Sequence, residues 1–318
     1  MDMHQKREMR KNKKMNEDTK SLPSTSINWY PGHMAKTKRQ IIEDLKLIDI
    51  VVEIVDARIP ISSQNPDIKK DIKDKKKIII LNKSDLADEK ETKKWVSYFE
   101  KQNITAVITD SNSGKGINDV IYKIKKISEQ SEEKYKNKGR IGKATRVLVL
   151  GIPNVGKSSF INRITRKSSA QVGNRPGVTR QKQWIRLEAG IELMDTPGVL
   201  WPKFESEEVA LNLAYTGTIK DDVLEKTEIA FQLLKYLLQE YKERIIDRYK
   251  LDNEEINEIL GQDLEENEKI YEIMKLIARK RGAIVSGGRI DDEKISCIIL
   301  DDFRSGKIGK ITLEKVTK

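Results

Sequence analysis

The sequence predicts an α/β chain built on a parallel sheet, with a helical region behind it, and three observations carry that prediction. The apolar run at 147–150 turns at Gly151 into Gly-Ile-Pro-Asn-Val-Gly-Lys-Ser, and Phe160, Ile161 and Ile164 follow at helical spacing. That is a strand buried on both faces, a glycine turn and a helix, in that order. Upstream, β-branched runs alternate with helix-patterned stretches, which argues for parallel β-α units. Downstream of Glu205 the pattern is helical throughout.

Taken in order, residues 1–26 carry Lys6, Arg7, Arg10, Lys11, Lys13 and Lys14 and no apolar stretch. They read as a disordered basic arm, not as a secretory leader. Trp29, Tyr30 and Pro31 open the ordered part, and Gly32-His33 leads into a polar helix through about Lys46. A strand at 49–58 is followed by a helix at 67–73, a strand from Lys76, a helix at 88–101, a strand from Thr105 and a helix at 116–129. The lysine-rich stretch 131–145 reads as a linker. Residues 167–183 lack an apolar period and contain Gly173, Pro176 and Gly177, so a mobile loop is expected. Two strands follow, at 183–187 and 191–194. Ile229, Leu233, Leu234, Leu237, Leu238 and Tyr241 then form one helical stripe, and Ile270, Met274 and Ile277 another. These are the core contacts expected of a small helical domain at 205–318, behind an α/β domain at 27–204. The second stripe ends in Arg279-Lys280-Arg281, which suits the helix dipole and an RNA partner equally.

Composition narrows the classes. A chain of 318 residues has room for two domains, and a net charge of +11 is compatible both with a polyanionic partner and with a well-solvated surface. With 6% aromatic residues, a single-strand stacking platform is disfavoured. The one cysteine, Cys297, excludes an intramolecular disulfide and suits a reducing compartment, and two histidines make a Cys/His metal site improbable. No apolar run approaches a membrane span. A cytoplasmic location without a membrane partner is expected.

The motifs carry the chemistry. Gly151 to Ser158 matches G-x-x-x-x-G-K-[ST], the phosphate-binding loop. Backbone N–H groups of Asn154, Val155, Gly156, Lys157, Ser158 and Ser159 are expected to wrap nucleotide phosphates at a helix N-terminus. Lys157 supplies a point charge to the outer phosphates, and the Ser158 hydroxyl reaches a magnesium ion. Asn82-Lys83-Ser84-Asp85 follows an apolar strand and matches N-K-x-D, the guanine-reading motif. Asp85 there accepts from the ring N–H and the exocyclic amine of guanine, a pair that adenine does not offer. Ser111 and Asn112, after the next strand, are candidates to donate backbone N–H groups to the base carbonyl. Asp195-Thr196-Pro197-Gly198 fits D-x-x-G, with Asp195 on the magnesium and the Gly198 N–H sensing a γ-phosphate. Thr179 is the candidate to complete the magnesium shell, against the plainer reading of a solvated turn threonine.

The base-reading motif precedes the phosphate loop, the reverse of the ordinary order in a P-loop GTPase. The chain therefore looks circularly permuted, which preserves a sheet whose original termini lie close together. At this point the sequence resembles the circularly permuted GTPases of ribosome assembly, in the segments NWYPGHMAKTKRQ, VEIVDARIP, LNKSD, GIPNVGKSSFIN, GNRPGVTR, MDTPGVLWPKF and RGAIVSGGRIDDEK. The resemblance implies a P-loop GTPase domain of permuted motif order followed by a small all-α C-terminal domain. It also implies GTP hydrolysis stimulated by the large (50S) ribosomal subunit, a late role in that subunit's assembly, and rRNA contact by the helical domain. A monomer off the ribosome and no DNA partner go with it.

Two departures bear on mechanism. Val199 stands where many GTPases place a water-orienting glutamine, and the resemblance points to His33 as the replacement, making His33, Lys157 and Thr179 the expected catalytic set. Asn154 resembles the asparagine of potassium-activated GTPases, where a monovalent cation supplies the charge of an arginine finger. Its alternative is a structural role in the loop turn. Two functional rivals stay open: a permuted GTPase serving the small subunit or an organelle ribosome, and a nucleotide-regulated RNA-binding protein with incidental turnover.

Overall fold

The computed structural model describes residues 32–72, 75–136, 144–167, 183–187, 190–201, 204, 206–219, 221 and 224–316, with the backbone alone at 32–35, 130–136, 167 and 183. The expectations for the basic arm 1–26, for Trp29, Tyr30 and Pro31, and for Thr179 in the loop lie outside the described residues. In chain order the first elements are α1 (Gly32–Asp44), β1 (Ile50–Asp56), α2 (Pro66–Asp71), β2 (Lys76–Asn82), α3 (Glu89–Lys101), β3 (Thr105–Ile108) and α4 (Ile117–Lys136). Then come β4 (Thr145–Leu150), α5 (Lys157–Lys167), β5 (Gln183–Leu187) and β6 (Ile191–Asp195). The helices α6 (Glu207–Tyr215), α7 (Lys226–Glu240), α8 (Lys242–Tyr249), α9 (Asn253–Gly261), α10 (Glu266–Arg281) and α11 (Asp292–Arg304) complete the chain.

The strands form one six-stranded sheet in the order β3-β2-β1-β4-β6-β5. Every residue of β1 is buried, as are the last five of β2, because both sheet faces are covered. All pairs are parallel except β5 with β6, where the short connection through Gly190, at φ 70°, permits only a hairpin. The helices start on side-chain caps. Asn65 accepts from the Asp67 and Ile68 amides ahead of Pro66 in the first turn, and Asp88 accepts from the Lys90 and Glu91 amides.

Strand order places the site. From β1 the chain steps outward through β2 to β3, and from β4 it steps the other way to β6 and β5. The order thus reverses between β1 and β4, and such a switch point opens a crevice beyond the carboxyl ends of the strands. α1 feeds β1 through a short turn, so it ends at the opposite edge and begins at the crevice edge. Its Ile41 packs with Leu150, Met194 and Val199. His33 stands eight residues earlier, about 12 Å along the helix axis towards its N-terminus at 1.5 Å of rise per residue.

One expectation needs correction. α4 runs to Lys136, seven residues past Glu129 and into the expected linker; no glycine or proline interrupts the chain before Gly139, so nothing stops the helix. The expected stripes of the helical region, Ile229, Leu233, Leu234, Leu237 and Leu238 on α7 and Ile270, Met274 and Ile277 on α10, are buried, and they join the core of the sheet. A single apolar cluster runs from Val52 and Val149 in the sheet to Leu213, Leu234, Ile277 and Leu300 in the helices. The chain then leaves α11 and lies back on the α/β layer. The Ile311 amide donates to the Leu86 carbonyl and the Leu313 amide to the Arg58 carbonyl, each at 2.9 Å. Glu314 accepts from the Ile61 and Ser62 amides at 2.6 and 2.8 Å.

Candidate functional site

At the switch point lies a cleft of about 550 Å³, lined by Asn82, Lys83, Asp110, Ser111 and Asn112 on one side and by Asn154, Gly156, Lys157, Ser158, Ser159 and Gly198 on the other. Residues more than a hundred positions apart in sequence thus face one space. One side chain ties the two halves together. Asn82, nearly fully buried, donates through Nδ2 to the Val155 carbonyl at 2.8 Å, while its Oδ1 accepts from the Ser111 amide, the Ser111 hydroxyl and the Thr109 hydroxyl at 3.0, 2.7 and 3.0 Å. Every polar atom of this amide is used for architecture. Gly156, at φ 91°, must be glycine beside it, since a Cβ there would stand 2.4 Å from Asn82 Nδ2.

Lys83 adopts φ 59° and pairs with Asp56 at 3.0 Å, at the end of β1. Asp56 also receives the Arg58 side chain in a two-pronged pair, at 3.0 Å from Nε and 2.8 Å from Nη2, with Arg58 and Asp56 both almost wholly buried. Burial alone would raise the Asp56 carboxyl, but Arg58 and Lys83 outweigh it and hold the group well below the usual carboxylate range. Asp110 caps the neighbouring turn by accepting from the Asn112 and Ser113 amides at 2.8 and 3.2 Å. Arg163, from α5, donates to the Ser111 and Asn112 carbonyls, so the helix behind the phosphate loop also braces the base-side loop. Asp85 is exposed beside this network and outside the lining of the cleft. Partial burial and the nearby Asp110 carboxylate push its carboxyl up.

On the phosphate side, Lys157 donates to the Thr196 carbonyl and lies 3.5 Å from Asp195. Burial pushes its ammonium below its ordinary value, and the Asp195 carboxylate works the other way. Asp195 is buried at the end of β6, behind the cleft wall. Gly198 packs so closely on the loop that a Cβ would stand 2.9 Å from the Pro153 nitrogen. Val155 lies buried under the loop, and Val199 is buried in the cluster that holds Ile41, its carbonyl accepting from Asn65. Asn154 sits at φ 63° and donates through Nδ2 to the Gly217 carbonyl at 2.6 Å. The side chain of His33 and all of Thr179 fall outside the described residues.

The cleft opens onto the N-terminus of helix α5, a place suited to phosphate groups. Comparison with known proteins shows the family. The chain is 43% identical to ribosome biogenesis GTPase A of Bacillus cereus over 288 residues, covering 91% of this chain and 93% of that protein. It belongs to the ribosome biogenesis GTPase A family. The protein of that name from Thermotoga maritima is 33% identical over 289 residues, covering 91% of this chain and 94% of the other. Residues 146–275 match the family described as 50S ribosome-binding GTPase. A solved structure described as GDP-bound YlqF superposes with a TM-score of 0.63 at 29% identity, covering 87% of this chain and 99% of that one. As a member of the ribosome biogenesis GTPase A family, the protein is a GTPase of ribosome biogenesis that binds GTP and GDP with Mg²⁺, and its α/β domain has the permuted motif order of the family.

The donor set suits Mg²⁺: Ser158 offers a hydroxyl and Asp195 a carboxylate, and this ion takes most remaining ligands from phosphates and water. Among the described residues no group of three or more His, Cys, Asp or Glu side chains forms a metal cage. No helix among them is long and apolar enough to cross a membrane. Sequence reasoning passed over Asp56, Thr109, Asp110, Arg163 and Arg304, the last of which also lines the cleft. Asp110 was findable, since an Asp before Ser-Asn-Ser at a strand end is a turn signal. Arg304 had no local signal.

Proposed function

We propose that the protein hydrolyses GTP at a late step of large-subunit assembly, binding the pre-50S particle through rRNA and being stimulated by it. The observation that carries this reading is the Asn82 bridge, which joins the base-reading motif to the phosphate loop in one cleft although the two stand in reversed order in the chain. Asp85 reads guanine next to that bridge, and the Ser111 and Asn112 amides meet the base carbonyl. The amides of 154–159 cradle the phosphates, with Lys157 exchanging Thr196 for the outer phosphates and the Gly198 amide sensing the γ-phosphate. Ser158, Asp195 and Thr179 would hold Mg²⁺, which would neutralise charge on the phosphate oxygens.

Val199 is buried and cannot orient water, and no described residue lining the cleft is a histidine, glutamine or glutamate. His33 takes that role, supported by the direction of α1. Asn154 takes potassium; turnover faster in potassium than in sodium, with the difference lost in Asn154→Ala, is the expected result, and equal rates in both salts would remove the assignment. The protein works in the cytoplasm as a monomer off the ribosome, without a membrane or DNA partner.

Co-sedimentation of the full chain with purified large and small subunits, in GDP, GTP and a non-hydrolysable GTP analogue, tests the proposal. Binding to the large subunit in the triphosphate state, with turnover raised by that particle, is expected. Preference for the small subunit transfers the function to the related assembly GTPases. RNA affinity that follows nucleotide state while turnover ignores the particle turns the protein into a regulated RNA binder.

A further inference from the structure

The phosphate loop is held in part by a residue far outside every GTPase motif. Helix α6 ends at Tyr215, where the Ala214 carbonyl accepts from the Gly217 amide at 3.0 Å and the last carbonyls still have room for a donor from outside the helix. Arg304, at the end of α11, supplies one. Its Nε donates to the Tyr215 carbonyl at 3.1 Å, and its Nη2 donates to the Ala214 carbonyl at 2.9 Å. The same guanidinium forks onto Asp221 at 3.0 and 2.8 Å. Four bonds from a planar group fix the turn between these acceptors more firmly than a lysine would.

Within the turn, Gly217 stands at φ 72°, and a Cβ there would meet Arg304 Nε at 3.4 Å, so the guanidinium and the turn are fitted to each other. The Gly217 carbonyl receives the Asn154 amide nitrogen. A carbonyl accepts only the –NH₂ end of an amide, so this contact also sets which way Asn154 Oδ1 faces. Asn154 is a left-handed residue, a conformation that asparagine tolerates better than most but that still favours a second anchor.

We infer that Arg304 is a positioning residue for nucleotide binding: by bonding Ala214, Tyr215 and Asp221 it holds the Gly217 carbonyl against Asn154 and so sets the phosphate loop. The inference rests on residues 151–158 being the phosphate loop. It has a consequence for the whole molecule, because α11 belongs to the helical region. Whatever displaces that helix end alters nucleotide affinity, and nucleotide binding resists the displacement to the same degree.

Equilibrium binding and dissociation of a fluorescent GDP analogue by the full chain test this in a double-mutant cycle. Arg304→Ala and Asn154→Ala should each weaken binding by about 5-fold, and the double variant should bind no more weakly than the weaker single, because both remove one linkage. Asp221→Asn, which leaves Arg304 its two carbonyl acceptors, should show a smaller loss that also vanishes in the Asn154→Ala background. It carries the test if Arg304→Ala does not fold. Fold-losses that multiply in full would reduce Arg304 to a general stabiliser, and unchanged affinity in both Arg304→Ala and Asp221→Asn would overturn the inference outright. Lys157→Ala serves as the separate check, since binding that survives it undermines the phosphate-loop reading itself and not the clamp.

Discussion

The two sides of the cleft are built on different principles. On the base side, Asn82 is bonded to Ser111, Asp56 to Lys83 and Arg58, and Asp110 to the amides of the turn after it, so these side chains hold the scaffold with one another and with neighbouring backbone. On the phosphate side, Lys157 is engaged by Thr196 and Asp195, and Asn154 by a carbonyl from the helical region. The first set has no bond that a nucleotide's phosphates would have to replace. The second has to trade its present partners for phosphates. Under the proposed function, that contrast predicts a base-side scaffold that changes little on nucleotide binding and a phosphate side whose groups must move.

The largest effect should come from breaking the base side at its root. Asp56→Asn leaves the buried Arg58 guanidinium without its counter-charge and with one of its two acceptors replaced by an NH₂ donor, and the loss should reach about 3–5 kcal/mol in denaturant unfolding. The native Asp56 carboxyl is depressed, so its contribution is fully present above the ordinary carboxylate value and is lost as pH falls below about 3.9. An unchanged unfolding midpoint would show that the network is decorative.

Next in size is Asp85→Asn. Two hydrogen bonds from guanine to a carboxylate are at stake, each charge-assisted, so GTP affinity should drop by roughly 10- to 100-fold while xanthosine triphosphate gains. A variant that binds GTP as before would remove Asp85 as the base reader. The phosphate side is probed by His33→Ala, where nucleotide affinity should hold and particle-stimulated turnover should fall by roughly 10-fold. Wild-type turnover on saturating large subunits would rule His33 out, and lost affinity would make it structural.

These residues differ in how far sequence alone reveals them. Strand runs and the phosphate loop are written in local pattern, so β1, β2, β4 and the cleft motifs are legible. Asp56 and Arg58 lie in a quoted segment, yet their partnership with Lys83 depends on β1 and β2 pairing in register at Asp56 and Asn82. Arg304 is less legible still, because its acceptors belong to another helix and no spacing rule connects them. The same blindness applies to Arg281. Within the basic run it looked equivalent to Arg279 and Lys280, but it donates to Asp302 at 3.1 Å alongside Arg248, while its two neighbours are exposed.

That difference gives the smallest expected effect. Neutralising Arg279 and Lys280 together should lower the salt slope of particle or RNA binding by about 1.5 units without loss of stability, since two phosphate contacts would go. An unchanged slope would move the RNA contact elsewhere.

Hydrogen exchange of the full chain, with and without GDP, tests the contrast itself. Amides around Asn82 and Ser111 should be protected in both states and change little, whereas those around Asn154 to Ser159 and Thr196 to Gly198 should gain protection when the nucleotide binds. If the base-side amides gain as much protection as the phosphate-side ones, the base site is not preformed and the account fails.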